Sequence, residues 1–325
     1  MGVETLADLE ILFMLMPIMA KRKHTSAPQK ARKSKARAKT SPGNRKGKIV
    51  PYSATEPSPS LKPAQKPSQK PPGAKEAEWI YGIHPVLAAL ANPSRPCYRL
   101  LVASTVGKEL SEKVAQAQKP VSGRPAIEAV DRSEIDHILH SGAVHQGLAM
   151  LAGPLPRVAI EDVIKTATAN ESPDGNEIVI VLDQATDPRN IGAVLRSAAA
   201  FGAKAVIVQD RHAPRETGTL CKAASGATEW VPVVRAVNLA RAITALKDAG
   251  FWCAGLDPTA EQTLAGAGLS GRVALVLGAE GRGLRRLTRE TCDGLVRVPL
   301  RDGTESLNLS NAAAVALYEL RREMG

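Results

Sequence analysis

The amino-acid sequence predicts an α/β fold built on a mostly parallel sheet, and three observations carry that prediction. From Glu177 onward, short runs rich in Val, Ile and Leu alternate with longer segments of helical period. The short runs lack polar residues at alternate positions, as expected of strands buried on both faces. The stretches between them are long enough to be crossover helices, which parallel strands need.

Taken in order, the strands fit Ile178–Leu182, Ala205–Val208, Val231–Val234, Phe251–Gly255, Val273–Leu277 and Leu295–Val298, the last extending toward Leu300. Helices fit Ile191–Phe201, Thr217–Ser225, Leu239–Ala249, Leu287–Cys292 and Leu309–Arg322. Together they make one domain, 177–325. Ahead of it, residues 77–153 read as a small α/β module. It has helices at Tyr81–Ala91, Lys108–Gln118 and Asp131–His140, and strands at Tyr98–Ala103 and Gln146–Leu151. Residues 154–176, with prolines near both ends, read as a linker.

The first 76 residues are different in kind. Between Lys21 and Lys75 there are 16 Lys and Arg against a single acid, Glu56, and few large apolar residues. Such a segment cannot bury enough surface to offset its ordering entropy, so a disordered basic extension is expected. The whole chain carries +11, yet from Glu76 onward the balance is −1, so basicity belongs to the extension. The apolar run Ile11–Ala20 is too short to span a bilayer. Acids at Glu4, Asp8 and Glu10 precede it, where a signal peptide carries basic residues. No membrane association is expected. Cys97, Cys221, Cys253 and Cys292 are widely spaced, with no CxxC and no clustered histidines, so neither disulfides nor a metal site is expected. That usage suits reduced thiols in the cytoplasm. Aromatic residues, at 3%, are too few for a surface made mainly of base-stacking rings.

Three segments could carry chemistry. In LDQATDPRNIGAVLRSAAAFGA, a turn precedes a helix whose Ile191, Val194, Leu195 and Ala198 form one buried stripe. Asn190 reads as the N-cap of that helix. Arg196 lies off the stripe, about 9 Å along the axis from Asn190, and helical side chains lean toward the N-terminus. The second segment, LVLGAEGRGL, ends a strand in a glycine-rich turn. It lacks both the GxGxxG order and the P-loop Lys-Ser/Thr pair, which argues against a nucleotide-dependent enzyme of doubly wound type. Glu280 within it has the sign favoured near a helix N-terminus. In the third, RVPLRDGTESLNLSNAAAVALYEL, Ser306 and Asn308 resemble capping residues for a helix buried through Leu309, Ala313, Ala316, Leu317 and Leu320. Loops at the C-terminal ends of strands are where open α/β sheets bind ligands.

Taken together, the three segments resemble the motifs of the SpoU (TrmH-type) RNA 2′-O-ribose methyltransferases, in the same order and spacing. WIYGIHPVLAAL and GAVHQGLAM are similar to the small substrate domain of the subgroup that methylates a guanosine of large-subunit ribosomal RNA. The resemblance runs from about Trp79 to the C-terminus, leaving the first 75 or so residues without counterpart. It implies a SPOUT-type fold with a C-terminal trefoil knot, a small RNA-binding domain, a homodimer, and S-adenosyl-L-methionine as methyl donor. Carried over by position, Gly278, Val298 and Leu307 match cofactor-contact positions, with Leu277 and Leu300 as walls. Asn190, Arg196, Glu280, Ser306 and Asn308 match the polar set near methyl transfer. Asp302 and Glu305 depart from the small neutral residues frequent in that loop, a difference that bears on the choice of RNA. The implied partner is RNA, ribosomal first and transfer RNA as the alternative. A non-catalytic RNA-binding assembly factor is the competing reading.

The implied reaction is in-line attack of a ribose 2′-hydroxyl on an activated methyl, needing no metal or covalent nucleophile. Arg196 stays charged, so a proton-accepting role suits it poorly. A clamp on the target phosphate suits it better, with Asn190 holding its geometry.

Overall fold

The computed structural model describes residues 76–169 and 175–324. The basic extension, expected to be disordered, and the apolar run Ile11–Ala20 lie outside the described residues.

The small module is a four-stranded sheet of order β1-β4-β2-β3, made by β1 (Glu78–Tyr81), β2 (Cys97–Ala103), β3 (Ile127–Val130) and β4 (Leu148–Ala152). Its helices are α1 (Ile83–Ala91), α2 (Lys108–Gln118) and α3 (Arg132–Ile138). Two of these strands went unread in the sequence. Glu78–Tyr81 is too short to show a period, and Gly82 (φ 97°) turns the chain out of it into α1, which begins two residues past the expected helix start. Ile127–Val130 lies at the sheet edge and shows no run of buried side chains. Its place is decided by parallel pairing with Leu100–Ala103.

Residues 154–176, expected to be a linker, contain helix α4 (Ile160–Ala169). Val163 and Ala167 bury in the core of the larger sheet, so much of this stretch is integral to it.

The larger sheet has six parallel strands in the order β10-β8-β9-β5-β6-β7. These are β5 (Glu177–Leu182), β6 (Ala205–Gln209), β7 (Val233–Ala236), β8 (Trp252–Leu256), β9 (Arg272–Leu277) and β10 (Gly294–Val296). Between them run α5 (Pro188–Ala200), α6 (Gly218–Ala224), α7 (Leu239–Asp248) and α8 (Arg286–Thr291), and α9 (Leu309–Met324) closes the chain. Both faces are covered, which explains the unbroken apolar runs. Ile178, Ile180 and Leu182 pack under α5, α6 and α9, whereas Val179 and Val181 pack under α4 and α7.

Two strands of this sheet depart from expectation by more than one residue. β7 begins two residues later than predicted, after Pro232, which has no N–H to give a ladder. β10 stops at Val296, because Arg297 turns to pair with Thr263 and exchanges hydrogen bonds with Gln262 and Leu264. Val298 and Leu300 therefore belong to a loop, not a strand.

Candidate active site

β5 and β9 are adjacent and parallel, so the segments that follow them emerge side by side at one end of the sheet. The chain departs from β5 toward β6 on one side, while β9 occupies the other. This is a topological switch point, the usual crevice of such sheets.

At the end of β5, Asp187 caps α5, its Oδ1 accepting from the Arg189 N–H at 2.8 Å. The sequence pointed to Asn190 as the cap. Pro188 at the first helical position needs no hydrogen-bond partner for its nitrogen, so the helix starts a turn earlier and Asp187 takes the capping role. The Asn190 side chain is thereby free for other contacts. Its Nδ2 donates to Glu280 Oε1 at 2.8 Å. Asn308 Nδ2 donates to the same oxygen at 2.6 Å and to Asn190 Oδ1 at 3.1 Å. The Leu309 N–H also reaches Glu280 Oε1, at 3.1 Å. One carboxylate oxygen thus gathers the three segments, from positions 90 and 28 residues away in sequence.

Asn308 also caps α9, its Oδ1 accepting from the Ser310 and Asn311 N–H groups. A negative charge at that helix N-terminus is favoured by the helix dipole.

The turn after β9 closes on itself through Gly283 N–H to Ala279 O at 2.9 Å. A Cβ on Gly278 would lie 2.0 Å from the Gly283 carbonyl carbon and 2.3 Å from Leu284 N, which only a glycine avoids. The loop is held from below by a carboxylate that the sequence reading did not single out. Asp183, its side chain fully buried, accepts from the Arg285 N–H at 3.0 Å and from the Arg285 guanidinium at 2.7 Å. The signal for it is an acid placed directly after six buried strand residues. An unpaired charge at such a position is costly, so a partner is required.

The other expected site residues fall into two groups. Leu277 is buried at the end of β9, and Gly278, Val298, Leu300 and Leu307 are half-buried around the same sheet end or in the 297–307 loop. Among the described residues, no protein acceptor takes the backbone N–H of Gly278, Val298, Leu300 or Leu307. Ser306 is exposed and, among the described residues, makes no hydrogen bond. Arg196 is exposed on α5 and is not joined to the Asn190–Glu280–Asn308 trio by any hydrogen bond or ion pair among the described residues. His84 of α1 lies within its field, and burial, then Lys222, Arg196 and Lys113, hold the imidazole below its ordinary pKa. No group of His, Cys, Asp and Glu able to hold a metal exists among the described residues.

The small module is fastened to the larger domain by a buried arginine. Arg95, 3% exposed, meets Glu229 through Nε and Nη2 and Glu216 through Nη1, and also donates to Gly153 O. A cavity of about 590 Å³ beside this seam is lined by Arg157, Arg215 and Arg235 among others, and contains none of the expected site residues.

Comparison with known proteins covers the chain from residue 79 to residue 318. Residues 177–318 match the SpoU rRNA Methylase family, and residues 79–158 match the RNA 2′-O ribose methyltransferase substrate binding domain. An uncharacterized tRNA/rRNA methyltransferase of Synechocystis sp. is 37% identical over 253 residues, covering 78% of this chain and 64% of that protein. The 23S rRNA (guanosine-2′-O-)-methyltransferase RlmB of Vibrio cholerae is 39% identical over 247 residues, covering 76% of this chain and 97% of that protein. The crystal structure of AviRb from Streptomyces viridochromogenes, a SpoU methyltransferase in complex with the cofactor AdoMet, superposes with a TM-score of 0.61 at 21% identity, covering 76% of this chain and 90% of that one.

Proposed function

The chain belongs to the SpoU rRNA methylase family, and from that premise we propose that it methylates the ribose 2′-hydroxyl of a guanosine in large-subunit ribosomal RNA. It is an S-adenosylmethionine-dependent RNA 2′-O-methyltransferase. The observation that carries the assignment of the site is the meeting of Asn190, Glu280 and Asn308 at the C-terminal ends of two adjacent strands.

S-adenosylmethionine supplies an electrophilic methyl on a sulfonium, so the chemistry needs alignment and proton removal more than activation. Supporting a cofactor cradle here is a set of backbone donors, at Gly278, Val298, Leu300 and Leu307, that no group among the described residues satisfies. Leu277 and Leu300 are its apolar walls. Glu280 holds the turn and the start of α9 at a constant separation. Asn190, fixed by Glu280 and Asn308, sets the floor on which the acceptor ribose rests. Arg196 extends from the same helix and grips the target phosphate, so that its positive charge lowers the cost of the alkoxide forming at the 2′-oxygen. Ser306, exposed beside Leu307, offers a hydroxyl to the ribose.

The reading includes a trefoil knot. What supports it is the path of the chain, which leaves β10 at the sheet edge and returns to pack α9 on α5 near the middle. It includes a homodimer, for which Val315 and Tyr318, exposed and three residues apart on α9, are apolar surface to cover. It also includes RNA binding by the small module and by the basic extension, and work in the cytoplasm. The direct test is a map of ribose methylation across ribosomal and transfer RNA in cells with and without the gene. Loss of one guanosine 2′-O-methyl mark in large-subunit RNA supports the reading, and loss of a transfer RNA mark alone redirects it.

A further inference from the structure

The seam between the small module and α5–α6 holds Lys222 and His84, basic side chains that the transfer site does not use, close to Arg196, which it does. Lys222 on α6 is half-buried, and its Nζ donates to Gln146 Oε1. That same oxygen accepts from the Ile83 N–H at the start of α1, at 3.3 Å. Gln146 occupies left-handed backbone space (φ 56°), uncommon for a residue with a side chain. Beneath the lysine lies Gly82, where a Cβ would stand 2.5 Å from Lys222 Nζ and 3.0 Å from its Cδ. Two unusual backbone positions therefore seat one ammonium group.

Two further basic residues flank it. Gly192 of α5 packs directly on α6, since a Cβ there would come within 2.5 Å of Leu220 O and 2.7 Å of the Ala223 Cβ. Arg196 stands four residues on from Gly192, hence on the same face of α5 and beside α6. On the other flank is His84, whose carbonyl oxygen would lie 3.2 Å from a Cβ on Gly226, just beyond α6. Both Arg196 and His84 are exposed. Among the described residues, Lys222, Arg196 and His84 have no carboxylate partner. The ion pairs seen among the described residues lie elsewhere, as at Arg95–Glu229 and Arg285–Asp183. Like charges set side by side without a counter-charge are unfavourable on their own and become favourable when an anion bridges them.

We propose that Lys222, with His84 beside it, binds an RNA phosphodiester next to the one gripped by Arg196, so that the backbone of the substrate runs along the seam from the small module to the transfer site. The inference rests on the RNA methyltransferase reading above and adds a contact to it. A polyanion with repeated charges fits two cations and a neutral imidazole carried on three separate elements better than a single small anion does.

The test is binding of a fluorescein-labelled ribosomal RNA fragment to the full chain, by anisotropy over a series of salt concentrations, with methyl transfer assayed in parallel. Lys222→Gln should weaken RNA binding about tenfold, the equivalent of one charge-assisted contact. It should also flatten the slope of log affinity against log salt by about 0.7 to 0.9. Calorimetric S-adenosylmethionine binding like that of the wild type would report an intact fold, and Lys222→Arg should restore most of the RNA affinity. His84→Gln, which leaves the lysine seat untouched, should weaken RNA binding by a smaller factor and serves as the second variant. Wild-type affinity and slope in both Lys222→Gln and His84→Gln, with the wild-type protein active, would overturn this proposal alone. A wild-type protein that neither binds nor methylates RNA would overturn the functional reading with it.

Discussion

Substituting Asp183 by Asn tests whether the loop after β9 is latched from beneath. In the native protein one carboxylate oxygen accepts the Arg285 N–H and the other accepts the guanidinium. An amide keeps one acceptor and turns the other into a donor that must face a donor. A hydrogen bond to a charged group contributes about 1.5–3 kcal/mol. Because the Arg285 side chain is 41% exposed, water recovers part of the loss, and the lower end, about 1.5–2 kcal/mol, is the expected cost. For a folded region of this size that corresponds to a fall in Tm of roughly 3–8 °C. The latch predicts something more specific than lost stability. Arg285 directly follows the turn that begins at Gly278, so loosening it should lower S-adenosylmethionine affinity by at least about fivefold, near 1 kcal/mol. Differential scanning calorimetry and titration calorimetry on the same preparation separate the two effects. A lower Tm with unchanged cofactor affinity would show that Asp183 only stabilises the fold. An unchanged Tm would refute the energetic argument itself.

Three other outcomes are expected. Gly278→Ala must displace the backbone at Gly283 and Leu284, so cofactor affinity by calorimetry should drop at least about tenfold, with a loss of stability of about 1–3 kcal/mol in urea unfolding. Arg196→Lys keeps the charge but loses the planar fork, and single-turnover methyl transfer should slow about a hundredfold or more, near-normal rates being incompatible with a clamp. Burial raises the thiols of Cys221 and Cys253 to about 12 and those of Cys97 and Cys292 to about 11. A thiol kept neutral in the native state and ionised in the unfolded state favours unfolding once the pH exceeds the unfolded value, about 8.5. Stability should therefore fall between pH 9 and 12, and iodoacetamide labelling of Cys221 and Cys253 at pH 8 should track unfolding; rapid labelling of these two in the native protein would contradict their burial.

How much could be read without coordinates varies from element to element. β5 and β9 were legible because strands covered on both faces must be apolar at every position, a constraint that leaves a mark in sequence. α5 and α9 were legible through their buried stripes. Glu78–Tyr81 and Ile127–Val130 carry no such mark, since four residues at a sheet margin gain their structure from the partner strand. Helix α4 was masked by the prolines around it. The glycine turn and the polar residues of the last motif could be picked out, yet each had an ordinary structural explanation when taken singly, and only their shared order pointed to a site.

Sequence alone determined the parallel α/β class, the contrast between a basic extension and a near-neutral remainder, and the candidates at the strand ends. Tertiary structure alone decided that Asp187 takes the cap, which releases Asn190 to reach Glu280, and that Asn308 joins them. It also decided that Asp183 supports the turn and that Lys222 is seated over Gly82. The physical reason is range. Period and propensity act over a few residues, whereas a hydrogen bond between residues 90 or 118 positions apart depends on strand order, which no local pattern encodes.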